Sequence, residues 1–301
     1  MRRALSGKLL TAIFCALFLG QSYAVEADEL QKLQQKADMG DADAEFQLGR
    51  IYFQALGVDR DDVKAAALFQ KAAEHGHAKA QHNLAFMYTQ GRGVKKNNQI
   101  AAKWFQAAAE QGISASQDAL GVMLEKGIGV QKNAREAAGW FQKAAEQGLV
   151  DAEVHLAQLY YFGDDDFETN NVEAAKWVSR AAEKGNAWGE NTLGAMYESG
   201  KGVAADVKKA AVWFGKAAEQ GDAKGQSNLA RLYLSGSGVE QNPTKAYAWL
   251  KLSADQGEAT AKVVLAEIKR GITASQVAEG ERLAQKLWNE HSGSSPAPSV
   301  P

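Results

Sequence analysis

Three histidines, His75, His77 and His82, lie close together, and further on Asp164, Asp166, Glu168 and Asn170 alternate along one short stretch. Clustered imidazoles are the donors of zinc sites, and alternating oxygen donors are the pattern of calcium loops. Neither set is complete. Three histidines around a helix break match no recognised zinc spacing, and nothing supplies the rest of a tetrahedral set. An EF-hand loop requires glycine at its sixth position and glutamate at its twelfth. Counted from Asp164, those positions hold Thr169 and Ala175. The readings without metal are simpler: His75 favours a helix end, His77 occupies a variable linker, and the acids form a solvated loop with Asn170 as a helix N-cap. The motifs G-x-S-x-G, S-x-x-K, H-E-x-x-H and G-x-x-x-x-G-K are absent. No catalytic, cofactor-binding or metal-binding residue is assigned, and no enzyme is expected.

Tryptophans recur instead, at Trp104, Trp140, Trp177, Trp213 and Trp249. A regular row of indoles could stack on a ligand. The expected role is packing, with each ring filling the space between one helix pair and the next. That expectation comes from the elements around them. Gly40, Gly76, Gly112, Gly148, Gly185, Gly221 and Gly257 close units of 36 residues, 37 in the fourth. Numbered from the preceding glycine, each unit has a small residue at position 4, leucine at 8, a large apolar residue at 11 and usually tyrosine at 12. These share one face of a helix A. A glycine pair stops that helix, as in Gly91-Arg92-Gly93. A valine and an N-cap Asp or Asn follow, and then a helix B rich in alanine. One such hairpin cannot bury both its faces, so units must stack. The expected fold is all-α: a right-handed superhelical solenoid of αα-hairpins, with six repeats over 41–257, an N-terminal capping helix in 25–40 and capping helices in 258–291.

The ends read differently. Arg2, Arg3 and Lys8 precede an apolar run from Leu9 to Leu19, and Ser22-Tyr23-Ala24 has the small residues of a cleavage site. This predicts a signal peptide over 1–24, since the run is well short of the roughly 20 residues that span a bilayer. Cys15 follows Phe14 rather than a small residue, so lipidation is not expected. The mature chain would be periplasmic or secreted, without cysteine, and its net charge would move from −2 to −5. No other stretch approaches membrane-spanning length. No basic excess marks a nucleic-acid binder. Ser292 to Pro301 has the composition of a disordered tail.

The pattern A-x-x-x-L-G/A-x-x-Y-x-x-G-x-G-V, followed by D/N, K-A, W-F and K-A-A-E-x-G, resembles the Sel-1-like repeat, a relative of the tetratricopeptide repeat. The resemblance covers about 41–257. It implies an adaptor or scaffold, often exported in bacteria. Cysteine-rich bacterial members are linked to β-lactam binding or hydrolysis. They carry paired cysteines in each repeat, so that activity does not transfer to a mature chain with none.

If helix A lines the concave side, as in tetratricopeptide stacks, positions 3, 6, 10 and 13 face a partner. They vary between units while the buried stripe stays fixed. Trp188 at position 3, Phe46 at 6, Phe86 at 10, and Phe53 and Tyr161 at 13 are the candidate contact residues, being of the types that dominate interfaces. The leading expectation is a protein partner in the cell envelope. An envelope glycan stacked on the same aromatics is the alternative.

Overall fold

The computed structural model describes residues 27–291. The expected leader and the Ser/Pro-rich end lie outside the described residues. Among these, regular structure is fifteen α-helices, with one isolated bridge between Asp164 and Phe167. They form two compact units that divide between Gln147 and Gly148, so each unit holds three of the repeats. The first contains α1 (Ala27–Asp38), α2 (Ala42–Gln54), α3 (Asp62–Glu74), α4 (Ala78–Gln90), α5 (Asn98–Glu110), α6 (Ser114–Lys126) and α7 (Ala134–Glu146). The second contains α8 (Val150–Phe162), α9 (Asn171–Glu183), α10 (Ala187–Ser199), α11 (Val207–Glu219), α12 (Ala223–Ser235), α13 (Pro243–Asp255), α14 (Ala259–Gly271) and α15 (Ala274–His291). From α2 to α13, even-numbered helices are helix A and odd-numbered ones helix B. In the first unit α1 takes the place of a preceding helix B, packing Leu30, Leu33 and Ala37 on Leu48 and Ile51.

Every helix B starts on the same local device, and in four of the six repeats helix A ends on a glycine pair. Asp61, Asn97, Asn133, Asn170, Asp206 and Asn242 each accept backbone N–H groups from the first turn of helix B. Their own N–H groups donate to the position-12 carbonyls of helix A, at 2.8–3.1 Å. The two glycines of the pair have different tasks. The first, as at Gly91 (φ 71°), ends helix A in the left-handed conformation. In the first repeat Ala55 takes that conformation (φ 56°) at a steric cost glycine avoids. The second glycine lets the loop touch the preceding helix B. A Cβ on Gly93 would lie 1.9 Å from the Asp62 carbonyl oxygen, and one on Gly202 2.0 Å from that of Asn171.

Positions 4, 8 and 11 of helix A are buried in all six repeats. The tyrosines at position 12 are half-buried, and in three repeats a first-turn lysine of helix B lies over the ring: Lys64 on Tyr52, Lys209 on Tyr197 and Lys245 on Tyr233. The tryptophan expectation is corrected. Trp177 and Trp249 are buried, but Trp104, Trp140 and Trp213 are only half-buried, and Lys143 and Lys216 each sit 3.9 Å from the Trp140 and Trp213 rings. The core residue of helix B is the next one along: Phe69, Phe105, Phe141, Val178, Phe214 and Leu250, all buried. Neighbours in sequence are separated by about 100° on a helix, so the two point in different directions, and only in the fourth and sixth repeats is the tryptophan buried as well. In three repeats a glycine at position 9 of helix A makes room for the phenylalanine. A Cβ on Gly49, Gly121 or Gly194 would lie 2.5–2.7 Å from the ring of Phe69, Phe141 or Phe214. Where position 9 is Ala157 or Ala230, the corresponding residue of helix B is the smaller Val178 or Leu250, whereas the second repeat combines Ala85 with Phe105.

A polar ladder runs through this apolar packing. Position 5 of helix A is Glu45, Gln81, Gln117, Glu153, Glu190 or Gln226, and all six are buried. Each meets the residue just past the end of its own helix B. Gln111, Gln147, Gln220 and Gln256 donate to Gln81, Gln117, Glu190 and Gln226, while His75 meets Glu45 and Lys184 meets Glu153. These bonds give partners to polar groups that burial would otherwise isolate, although the Glu153 Oε2 still has none among the described residues.

Candidate binding surface

Helix A fixes the candidate positions relative to the buried stripe. At positions 3, 10 and 13 every side chain in all six repeats is at least partly exposed. Position 6 is different and corrects the expected face. It lies at the seam between successive A helices: His82 meets the Ser116 hydroxyl at 2.8 Å, and Asn191 accepts from Asn228 at 2.9 Å. Phe46 occupies this position and is core, with 8% of its surface exposed, stacked on His77 at 4.3 Å and 5.9 Å from the Phe69 ring. It is therefore no contact residue.

The other four aromatics are accessible to different degrees. In the first unit Phe86 is 36% exposed and Phe53 is half-buried, edge-on to Phe69. In the second, Tyr161 and Trp188 are half-buried, and Phe162 beside Tyr161 is open to solvent. Sequence reasoning missed what meets position 13. The cation between the glycines of the next repeat covers the aromatic there: Arg92 lies 4.0 Å from the Phe53 ring and Lys201 4.8 Å from the Tyr161 ring. The ring quadrupole attracts a cation placed over its face, so each pair holds its ring and side chain together. The coincidence of an aromatic at 13 with a cation some forty residues later was its only signal.

Arg92 also anchors an electrostatic cluster. Its guanidinium binds Asp62 at 3.0 and 3.2 Å, and Arg60 binds the same carboxylate at 2.9 and 3.0 Å. The Arg60 hydrogen bond is the largest of the effects that hold the Asp62 carboxyl down at about 2. A shallow cleft of about 520 Å³ opens beside this cluster, lined by Tyr52, Val58, Arg60, Asp62, Lys64 and Gly93 among others. Within its lining Arg60 pairs with Asp62, and the Lys64 ammonium donates to the Tyr52 hydroxyl at 2.6 Å.

The histidines do not converge. His75 binds Glu45 at 2.9 Å. His77 caps α4, accepting from the Ala80 N–H, and its other nitrogen lies 3.2 Å from Asp43. His82 is edge-on to Phe105, and burial pushes its pKa down. In the acidic loop, Asp164 and Phe167 exchange backbone hydrogen bonds at 2.8 and 3.0 Å, Phe167 packs on Tyr160, and the Asn170 side chain is committed to the N-terminus of α9.

Comparison with known proteins agrees with this architecture. The chain is similar to the crystal structure of a Sel1 repeat protein from Oxalobacter formigenes, with 29% identity over 82% of this chain and 99% of that one. For that protein the TM-score is 0.70. For a protective antigen of uropathogenic Escherichia coli strains, which displays an SLR fold, it is 0.61, at 29% identity over 88% of this chain. The match spans 64% of the length of that antigen. No curated protein matches the chain. The sequence profile of the Sel1 repeat matches residues 42–77, 78–113, 114–149, 150–186, 190–222 and 223–258, and the chain belongs to the Sel1 repeat family.

Proposed function

We propose that this chain is an exported scaffold that binds a protein partner through the exposed positions of helix A. One observation carries the reading. Positions 4, 8 and 11 recur and are buried, whereas positions 3, 10 and 13 are exposed or half-exposed and differ from repeat to repeat. Packing explains the first set and does not demand the second. Aromatics with cations nearby, among these variable positions, are the side chains that anchor protein interfaces. Sel1 repeats are a scaffold family, which favours binding over catalysis. Export rests on the basic start, the short apolar run and the small residues before Val25.

The test uses the full-length gene. Protein recovered from the periplasm is expected to begin at Val25, and recovery from the cytoplasm beginning at Met1 would remove the export reading. The periplasmic protein then serves as bait in an envelope extract, where retained protein bands support the proposal and retention on glycan alone supports the alternative. Trp188→Ala is expected to weaken binding of the captured protein about thirtyfold, roughly 2 kcal/mol, while leaving the melting temperature nearly unchanged. The other five repeats hold Asp, Lys or Ala at this offset, so the fold does not require a large ring there. A variant that melts early and binds normally once folded would make Trp188 a packing residue.

A further inference from the structure

The six position-5 side chains differ in what meets them. Glu45 has His75 at 2.9 Å, and Glu153 has Arg180 and Lys184 at 2.8 and 2.9 Å. Gln81, Gln117 and Gln226 meet glutamines. Glu190 is the exception: a buried carboxyl, 4% exposed, whose ladder partner is the neutral Gln220 at 2.6 Å. A buried carboxylate without a cation is costly, and such a group tends to take up a proton instead.

The ladder shows where that proton would go. In three repeats the position-5 amide donates to the carbonyl eight residues earlier: Gln81 to Ala73 at 3.1 Å, Gln117 to Ala109 at 3.1 Å and Gln226 to Ala218 at 3.3 Å. The counterpart for Glu190 is the carbonyl of Ala182. Here α10 starts tight against the end of α9, since a Cβ on Gly189 would lie 2.9 Å from the Ala182 nitrogen. A carboxylate offers that carbonyl no hydrogen. A carboxylic acid carries one O–H donor and one carbonyl acceptor, the same pair an amide presents. We infer that Glu190 is a proton-binding site: its neutral form donates to the Ala182 carbonyl, accepts from Gln220, and tightens the junction of α9, α10 and α11.

The surrounding charges do not supply the missing counter-ion. From α11, Lys216 favours the charged form and Glu219 opposes it. At the end of α9, Lys184 is committed to Glu153 and the Gly148 carbonyl, Arg180 also binds Glu153, and Glu183 is exposed. On α12, Arg231 pairs with Glu198 and Lys224 is exposed. Burial is the largest effect on the Glu190 carboxyl and raises its pKa above 4.5. A carboxyl raised on folding contributes stability that is complete below its unfolded pKa and is lost as pH rises through its folded pKa.

The experiment is an NMR titration of carboxyl carbons in the full chain, with the Glu190 signal assigned through Glu190→Gln, alongside urea unfolding of both proteins from pH 4 to 7. Glu190→Gln restores the Gln–Gln rung of three other repeats and is expected to fold. The Glu190 carboxyl should titrate above 4.5. The folded-to-unfolded ratio of the native protein, relative to Glu190→Gln, should rise as pH falls, by at most about tenfold per pH unit. At pH 7 Glu190→Gln should be the more stable of the two. A carboxyl that titrates at or below 4.5 would overturn the inference. So would identical pH dependence of the two proteins, or a Glu190→Gln variant less stable than the native chain at pH 7.

Discussion

Phe214→Ala is expected to destabilise the second unit by about 3–5 kcal/mol, whereas Trp213→Ala should cost no more than about 1–2 kcal/mol. The two residues are adjacent in α11, and the tryptophan is the larger. Size does not decide the outcome, because Phe214 is fully buried and Trp213 is half-exposed with Lys216 over its face. The Phe214 ring fills the space left by the missing side chain of Gly194, where a Cβ would come within 2.7 Å of it. Truncating it opens a cavity that helices on both sides border, and each repeat is held only by its neighbours. Urea melts of the two variants give the comparison. Equal losses, or a larger loss for Trp213→Ala, would mean that the packing face of helix B has been misassigned.

The second large effect belongs to the glycine pair. Gly91→Ala and Gly93→Ala both place a side chain at positive φ, 71° and 66°. That conformation costs a non-glycine residue about 1–2 kcal/mol. At Gly91 little more is expected, since the nearest atom to the new Cβ is 3.3 Å away on the Lys96 side chain. At Gly93 the Cβ would fall 1.9 Å from the Asp62 carbonyl oxygen and 2.4 Å from its carbon. Backbone cannot rotate aside as a side chain can, so α3 and the loop must separate. Adding about 1–3 kcal/mol of overpacking to the conformational cost gives a loss of about 2–5 kcal/mol. Thermal melts of the two alanine variants measure the difference. Matching melting temperatures would show that the second glycine serves only its own backbone conformation.

These cases show how the sequence discloses the fold unevenly. The helix A stripe was legible because leucine at position 8 and small or large apolar residues at 4 and 11 can share only one face. The caps were legible because Asp or Asn precedes every helix B. The packing role expected of the tryptophans holds at Trp177 and Trp249 but not at Trp140 and Trp213, because hydrophobicity alone does not show which of two adjacent rings turns inward. In each Trp-Phe pair only one ring can point inward, and Gly121 and Gly194 at position 9 already marked the place of Phe141 and Phe214. The polar ladder went unread because glutamate and glutamine on a helix usually mean a solvated face. Their recurrence at position 5 and at the end of helix B was visible, but their pairing requires the hairpin to be folded. Phe46 was misplaced for a related reason: position 6 looks outward on an isolated helix, and only the next helix A turns it into a seam.

The central claim is that helix A recognises the partner and helix B does not. Hydroxyl-radical footprinting of the second unit, with and without the captured envelope protein, tests it within one molecule. Tyr161 and Trp188 lie on A helices, and Trp213 lies on a B helix with comparable partial exposure. The account predicts that the partner protects Trp188 and Tyr161 from oxidation and leaves Trp213 labelled as in the free protein. Protection of Trp213 with undiminished labelling of Trp188 and Tyr161 would contradict it.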